Sequence, residues 1–155
     1  MKLLLAVSMS IAMAMFVVCI FKTYKEKNKP DLAKIVRRVL ELGFGIVLVN
    51  FVSLLVPNRL VVMICYCLYF SLADWMLYFL FKFSTYFMGK GEQFEKIMKI
   101  KIVYTLLGLD CISILLNIFF EHQFSVHESV MFKGELYYYI QPTGYFYIHY
   151  VIAMT

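Results

Sequence analysis

The chain has 155 residues and a mass of 18.3 kDa; 63% of its residues are hydrophobic, 16% are charged, and its mean hydropathy is +0.78. Soluble domains carry about 45–50% apolar and about 25% charged residues, so this composition excludes an ordinary water-soluble fold. The net charge of +5 does not indicate a nucleic-acid partner, because most basic residues lie in two short segments beside long hydrophobic runs. We therefore predict a helical integral membrane protein surrounded by a lipid bilayer.

Four hydrophobic runs, residues 3–21, 39–56, 60–81 and 102–120, are long enough to form membrane spans. A helix of about 20 residues crosses about 30 Å of hydrocarbon. The first run also resembles a secretory signal peptide with a cleavage site at Ala12-Met13-Ala14, but its apolar residues continue to Phe21 and favour a retained helix. Pro57 and Asn58 leave room only for a tight turn, which joins the second and third spans as an antiparallel helical hairpin.

Basic residues are distributed unequally between the alternate loops. Residues 22–38 hold seven Lys and Arg and residues 82–101 hold five, whereas the loops at the other end hold Arg59 and Lys133. Because Lys and Arg accumulate in the cytoplasmic loops of membrane proteins, we predict a multi-pass protein of the plasma (inner) membrane with its amino terminus outside.

Residues 121–144 differ from the spans, because polar residues interrupt them and aromatic residues are frequent. Two stretches alternate apolar with polar residues, at Phe124, Val126, Val130 and Phe132 and at Leu136, Tyr138 and Ile140. This alternation on both sides of Lys133-Gly134 predicts an extracytoplasmic β-hairpin, with an irregular interfacial loop as the alternative.

The last apolar run, residues 145–155, has only 11 residues and is too short to cross a bilayer. We interpret it as the start of a fifth span, which makes this chain an amino-terminal piece of a longer protein; a re-entrant or interfacial tail is the alternative. The predicted fold class is an all-α transmembrane bundle of four full spans and a truncated fifth with a small hairpin, forming a single membrane domain over residues 1–155.

Four segments of the chain are rich in aromatic residues: Leu-Tyr-Phe at 68–70, LLNIFF at 115–120, GELYYYI at 134–140 and YFYIHY at 145–150. They resemble the membrane-embedded amino-terminal sensor regions that precede diguanylate cyclase (GGDEF) domains, and sometimes histidine kinase domains, in Gram-positive gut bacteria. The resemblance implies a sensory input module that controls a cytoplasmic output domain outside this chain.

Polar side chains within membrane spans are costly, so each one is a functional hypothesis. Asp74 and Asp110 lie at matching depth on consecutive antiparallel spans, and each shares one helix face with a stripe of polar residues. The predicted intramembrane polar network comprises Asn50, Ser53, Ser71, Asp74, Tyr78, Asp110, Ser113 and Asn117. In one interpretation, the stripes form hydrogen-bonded contacts between helices. In the other, Asp74 and Asp110 form a coupled carboxylate pair that titrates or holds a cation.

The histidines and cysteines give weaker indications of a functional site. His122 and His127 are five residues apart, a poor spacing for a shared metal ion, and His149 is expected to form hydrogen bonds at the interface. The four cysteines are expected to pack within spans. We predict no metal site, no cofactor and no catalytic residues within this chain.

The leading functional hypothesis is the sensory input module, with the hairpin as sensor or lid. A small-molecule-binding membrane component of a transporter is the alternative, and a third hypothesis is an assembly unit that only dimerises and tethers its partner. Besides the bilayer, we expect a homodimer formed through the full-length protein, an unidentified small ligand or ion, and no nucleic acid.

Overall fold

The computed structural model describes residues 2–26, 30–56, 58–89, 100–130 and 136–154. The elements, in chain order, are α1 (Lys2–Lys25), α2 (Pro30–Leu55), α3 (Arg59–Phe87), α4 (Ile100–Phe120), β1 (Phe124–Val130), β2 (Leu136–Pro142) and α5 (Phe146–Met154). Helices α1 to α4 are each long and apolar enough to cross a membrane. The predicted fold class, a four-span helical bundle with a small antiparallel hairpin, is confirmed.

The start of α3 is set by Asn58, which caps the helix. Its side-chain oxygen accepts hydrogen bonds from the backbone N–H groups of Leu60 at 2.9 Å and Val61 at 3.3 Å. Such a cap satisfies N–H groups that have no partner within the helix. Helix α3 therefore begins four residues after the last residue of α2 and packs against it. Pro57 of the predicted turn lies outside the described residues.

Consecutive helices pack through small residues. On α2, Gly43 lies so close to α1 that an added Cβ would be 2.9 Å from a ring carbon of Phe16, and a Cβ on Gly45 would lie 3.2 Å from Leu72 of α3. Small residues allow this close helix approach in membranes. No residue of α1 is buried, so the rest of its surface is available to lipid.

Gly43→Leu is expected to lower the free energy of unfolding by about 1–3 kcal/mol, because the new side chain would collide with the Phe16 ring. The measurement is denaturant unfolding in mixed micelles. Phe16→Ala in the same chain should recover part of the loss. Gly108→Leu is the control, since nothing lies within 4 Å of a Cβ there; equal losses in the two single variants would contradict the packing account.

Strands β1 and β2 pair antiparallel, with Val126 opposite Ile140. Phe124 and Val126 are fully buried, as alternating positions on one face should be. The Phe124 ring centroid lies 5.5 Å from that of Phe70 on α3 and 5.9 Å from that of Phe146 on α5. The predicted alternation therefore holds at these positions, whereas Phe132 and the predicted Lys133-Gly134 turn lie outside the described residues.

Two groups of buried apolar side chains lie along α3 and α4. The larger group, at the hairpin end, comprises Val62, Met63, Cys67, Phe70, Ile114, Phe124, Val126 and Phe146. The smaller group is formed by Tyr78 and Leu107, with Trp75 beside them. Along the sequence, the buried Asp74 of α3 and Asp110 of α4 fall between the two groups, so both aspartates lie deep in the bundle.

Candidate functional site

Three ionisable side chains meet inside the bundle. We call Asp74, Asp110 and His149 the triad; their side chains are only 2–4% exposed. His149 Nδ1 lies 2.7 Å from Asp110 Oδ2 and 3.6 Å from Asp74 Oδ2. One donor atom from each of the three residues lies within 4.8 Å of the other two. A buried imidazole therefore links two carboxylates.

Each triad residue comes from a different helix. Asp74 lies near the middle of α3 and Asp110 near the middle of α4. His149 lies one turn into α5, where its ring contacts Phe70 and Phe146 at centroid distances of 5.5 and 5.6 Å. The triad therefore joins α5 to α3 and α4. The aromatic side chains beside the imidazole form an apolar medium, which screens charge poorly.

Lys and Arg are far from the triad along the sequence. None occurs between Arg59 and Lys82 on α3, after Lys101 on α4, or in α5. Buried charges need a partner, because transfer from water to an apolar interior is expensive. His149 is the partner that the structure supplies to both carboxylates.

Two buried oxygen atoms near the triad lack a hydrogen bond. Among the described residues, Asp74 Oδ2 and Ser71 Oγ are shielded from solvent and have no hydrogen-bond partner. Ser71 precedes Asp74 by almost one turn on the same face of α3. Since an unsatisfied buried polar group costs roughly 1–3 kcal/mol, the site has unused capacity to accept a proton or a cation.

Asn117 attaches the hairpin to α4. Its side-chain oxygen accepts hydrogen bonds from the backbone N–H groups of Gln123 at 2.7 Å and Phe124 at 3.2 Å, and its amide donates to the Phe124 carbonyl at 2.8 Å. The residue is fully buried. One turn away, Ser113 Oγ accepts from the Gln123 side chain at 2.8 Å and lies 3.2 Å from His122 Nε2. The hairpin base is thus fixed to α4.

The hairpin continues directly into α5. Thr143 closes the hairpin base, because its backbone N–H donates to the Gln123 carbonyl at 2.8 Å and its hydroxyl donates to the carbonyls of His122 and Gln123. The Thr143 carbonyl in turn accepts from the N–H of Phe146 at 3.1 Å, where α5 begins. Hydrogen bonds therefore connect the hairpin base to the start of the helix that carries His149.

A cleft of about 480 Å³ opens between the start of α3 and the hairpin. Its lining comprises Asn58, Arg59, Leu60, Met63, Ile118, Glu121, Glu128 and Tyr138. Arg59 crosses the gap, since Nη2 lies 2.6 Å from Glu121 Oε1 and Nε donates to the Val126 carbonyl at 3.1 Å. Burial and the neighbouring Glu128 carboxylate raise the pKa of the Tyr138 phenol above its ordinary value.

Glu121 ends α4 with a backbone φ of +46°, a left-handed conformation that favours glycine or asparagine. In this conformation the Glu121 N–H donates a hydrogen bond to the Asn117 carbonyl at 2.9 Å, and the Glu121 carboxylate forms an ion pair with Arg59. The helix therefore ends in a strained residue whose side chain makes an ion pair.

Arg59→Met is expected to lower the free energy of opening the hairpin by about 1 kcal/mol or less. The ion pair is 54% and 38% exposed at its two side chains, so solvent screens it. Amide hydrogen exchange in β1 and β2 should become faster by up to about 5-fold, measured on protein in nanodiscs. Lys34→Met is the control, since its pair with Asp31 is 66% and 71% exposed and lies on α2. The same exchange rate in both variants would count against a hairpin contact at Arg59.

Other members of the predicted polar network have different surroundings. Tyr78 donates a hydrogen bond to the Tyr104 hydroxyl at 3.1 Å and so links α3 with α4. Within the described part of the chain, no hydrogen bond joins the half-buried side chains of Asn50 or Ser53 to α3 or α4. The predicted stripes on α3 and α4 thus face protein, whereas the pair on α2 does not join them.

His149 is the candidate site residue that sequence reasoning missed. It was expected at the interface, but its side chain is buried in the triad. The sequence signal was weak, because 38 residues and a hairpin separate it from Asp110. One sequence pattern would have identified His149: two spans that each hold an aspartate with no Lys or Arg nearby, followed by an apolar run that contains a histidine.

Comparison of the chain with protein-family models, curated proteins and solved structures found no match. The class of the protein therefore rests on its helices. Four helices of sufficient length and hydropathy, connected in sequence, define a multi-pass membrane protein in a lipid bilayer.

Proposed function

We propose that the chain is a membrane-embedded sensory input module, in which the hairpin receives the stimulus and α5 transmits it. The observation that carries the proposal is the buried 2.7 Å contact between His149 and Asp110, on a helix that continues directly from the hairpin. A sensor needs an element with two arrangements of similar free energy, and ionisable groups in a buried contact supply one. Movement of α5 then controls a cytoplasmic output domain, a diguanylate cyclase or a histidine kinase.

The cleft beside the hairpin supports a chemical stimulus. Its volume of about 480 Å³ lies within the range of about 300–1,000 Å³ that small-molecule sites occupy. Glu128 and the Tyr138 hydroxyl offer an acceptor and a donor at one edge, and Arg59 bridges to Glu121 at another. A small polar ligand that competes for Arg59 would release the hairpin from α3.

The Lys- and Arg-rich segments support the orientation that this function requires. The end of α1, the start of α2, the end of α3 and the start of α4, which carry the described Lys and Arg of these segments, lie at the end of the bundle opposite the hairpin. With these basic segments in the cytoplasm, the hairpin and its cleft lie outside the cell, and the direction of α5 is inward.

The test is the output of the full-length protein in living cells. We expect His149→Gln to change the cellular cyclic dinucleotide level, or the extent of phosphotransfer, by about 10-fold, a typical allosteric coupling of 1–3 kcal/mol. Tyr147→Phe is the matched control, because this side chain is 65% exposed on the same helix. A gene that encodes only further spans, or an output that His149→Gln leaves unchanged, would contradict the proposal.

A further inference from the structure

We propose that the triad binds one divalent transition-metal ion of the zinc class, through a carboxylate oxygen of Asp74, a carboxylate oxygen of Asp110 and Nδ1 of His149. The inference rests on the proposed function for its biological meaning, because the same triad holds α5 in the bundle. The binding itself depends only on the geometry and charge of the three side chains.

The distances suit a single small ion. Ligand atoms about 2.0–2.1 Å from a tetrahedral zinc lie about 3.3 Å from one another. The two distances from His149 Nδ1, 2.7 Å to Asp110 and 3.6 Å to Asp74, lie on either side of this value. All three donor atoms lie within 4.8 Å of one another. Shifts of about 0.6 Å or less in the two His149 contacts, and of at most about 1.5 Å between the two carboxylate oxygens, complete three ligand positions.

The charge of the ion matches that of the ligands. Two ionised carboxylates and a neutral imidazole carry a charge of −2, and Lys and Arg are absent from the surrounding parts of α3, α4 and α5. A divalent cation brings the buried site to neutrality without a proton on any ligand. In an environment where each uncompensated charge is expensive, this balance favours a dication.

A second observation points to an unfilled ligand position. Asp74 is 2% exposed, its Oδ2 faces His149, and within the described residues this oxygen accepts no hydrogen bond. Ser71 Oγ, on the same face of α3, is also buried and unpartnered. Carboxylates are normally satisfied when buried, so an oxygen that faces a donor beyond hydrogen-bond distance is poised to bind a cation.

The donor set selects among metals. An imidazole with two carboxylates suits Zn²⁺ and its first-row neighbours, whereas Ca²⁺ and Mg²⁺ prefer oxygen donors alone and larger coordination numbers. Three protein ligands leave a fourth position for water. Because the ligands come from α3, α4 and α5, the bound ion fixes α5 against the other two helices.

The experiment uses the full chain in lipid nanodiscs after treatment with a chelator. Titration with Co²⁺ should give the visible absorption of a tetrahedral site and should quench the fluorescence of Trp75, the single tryptophan of the chain and the neighbour of Asp74. One equivalent of Zn²⁺ should abolish the absorption, whereas excess Mg²⁺ or Ca²⁺ should not.

Variants locate the site. Asp110→Asn and His149→Gln should each weaken binding by about 100-fold or more, since loss of an outer-shell partner alone costs roughly 10–100-fold. Asp74→Asn serves as a further variant if either of these fails to fold by circular dichroism. The control is His127→Gln, whose imidazole is exposed on the hairpin and bonds Ser125 at 2.9 Å.

Two results would overturn the metal site: no binding to the wild-type chain, or equal binding in the wild type and the triad variants. Tighter binding of Ca²⁺ or Mg²⁺ than of Zn²⁺ would overturn the assigned class. These outcomes are distinct from failure of the sensory proposal. If the cellular output responds to His149→Gln while purified protein binds no metal, the sensor remains and the metal site is rejected.

Discussion

Asn117→Ala is expected to detach the hairpin base and to lower the free energy of unfolding by about 3–5 kcal/mol. The substitution leaves the N–H groups of Gln123 and Phe124 and the Phe124 carbonyl without their partner. Each of these buried groups costs roughly 1–3 kcal/mol when unsatisfied, and local relaxation recovers part of the sum. Denaturant unfolding in mixed micelles measures the loss.

Asn117→Asp separates the two kinds of hydrogen bond. An aspartate keeps an oxygen for the two N–H groups but has no donor for the Phe124 carbonyl, so we expect a smaller loss than with alanine. Leu116→Ala, on the lipid-accessible side of α4 with 43% exposure, is the control. A loss in Asn117→Ala no greater than in Leu116→Ala would show that Asn117 does not hold the hairpin.

His149→Leu is expected to lower the free energy of unfolding by about 3–5 kcal/mol, because it leaves two buried carboxylates without their partner. Asp110→Leu in the same chain should recover part of this loss, since it removes one of the two uncompensated carboxylates and leaves only Asp74 without its partner. The double-mutant cycle measures the coupling directly.

Tyr147→Leu, an exposed position on α5, is the matched control for this cycle. It should leave the free energy of unfolding within about 0.5 kcal/mol of the wild type. Additive losses in the His149→Leu and Asp110→Leu variants, with no coupling, would mean that the two side chains do not interact.

Local sequence patterns were sufficient to predict the helices and the hairpin. Long apolar runs specify spans because a helix satisfies its own backbone groups in lipid, and basic or turn residues interrupt them. The alternation at Phe124 and Val126 specified the buried face of β1, because successive side chains in a strand point to opposite faces. These signals extend over neighbouring residues and need no knowledge of tertiary contacts.

The candidate site was predictable only in part. The depths of Asp74 and Asp110 followed from counting residues along each span. The partner of these aspartates did not, because the position of His149 depends on how the hairpin folds back onto α4 before α5 begins. Likewise, the periodicity that placed Asn117 on a polar face gave no indication that its hydrogen bonds go to the hairpin backbone rather than to a neighbouring helix.

The central claim is that the triad holds α5 against the bundle. Double electron–electron resonance between spin-labelled noncanonical residues at Leu60 on α3 and Tyr147 on α5, which are 58% and 65% exposed, tests it most directly. The wild-type chain in nanodiscs should give one narrow distance distribution, and His149→Gln should broaden it or shift it by several ångströms. Identical narrow distributions in the two proteins would contradict the account.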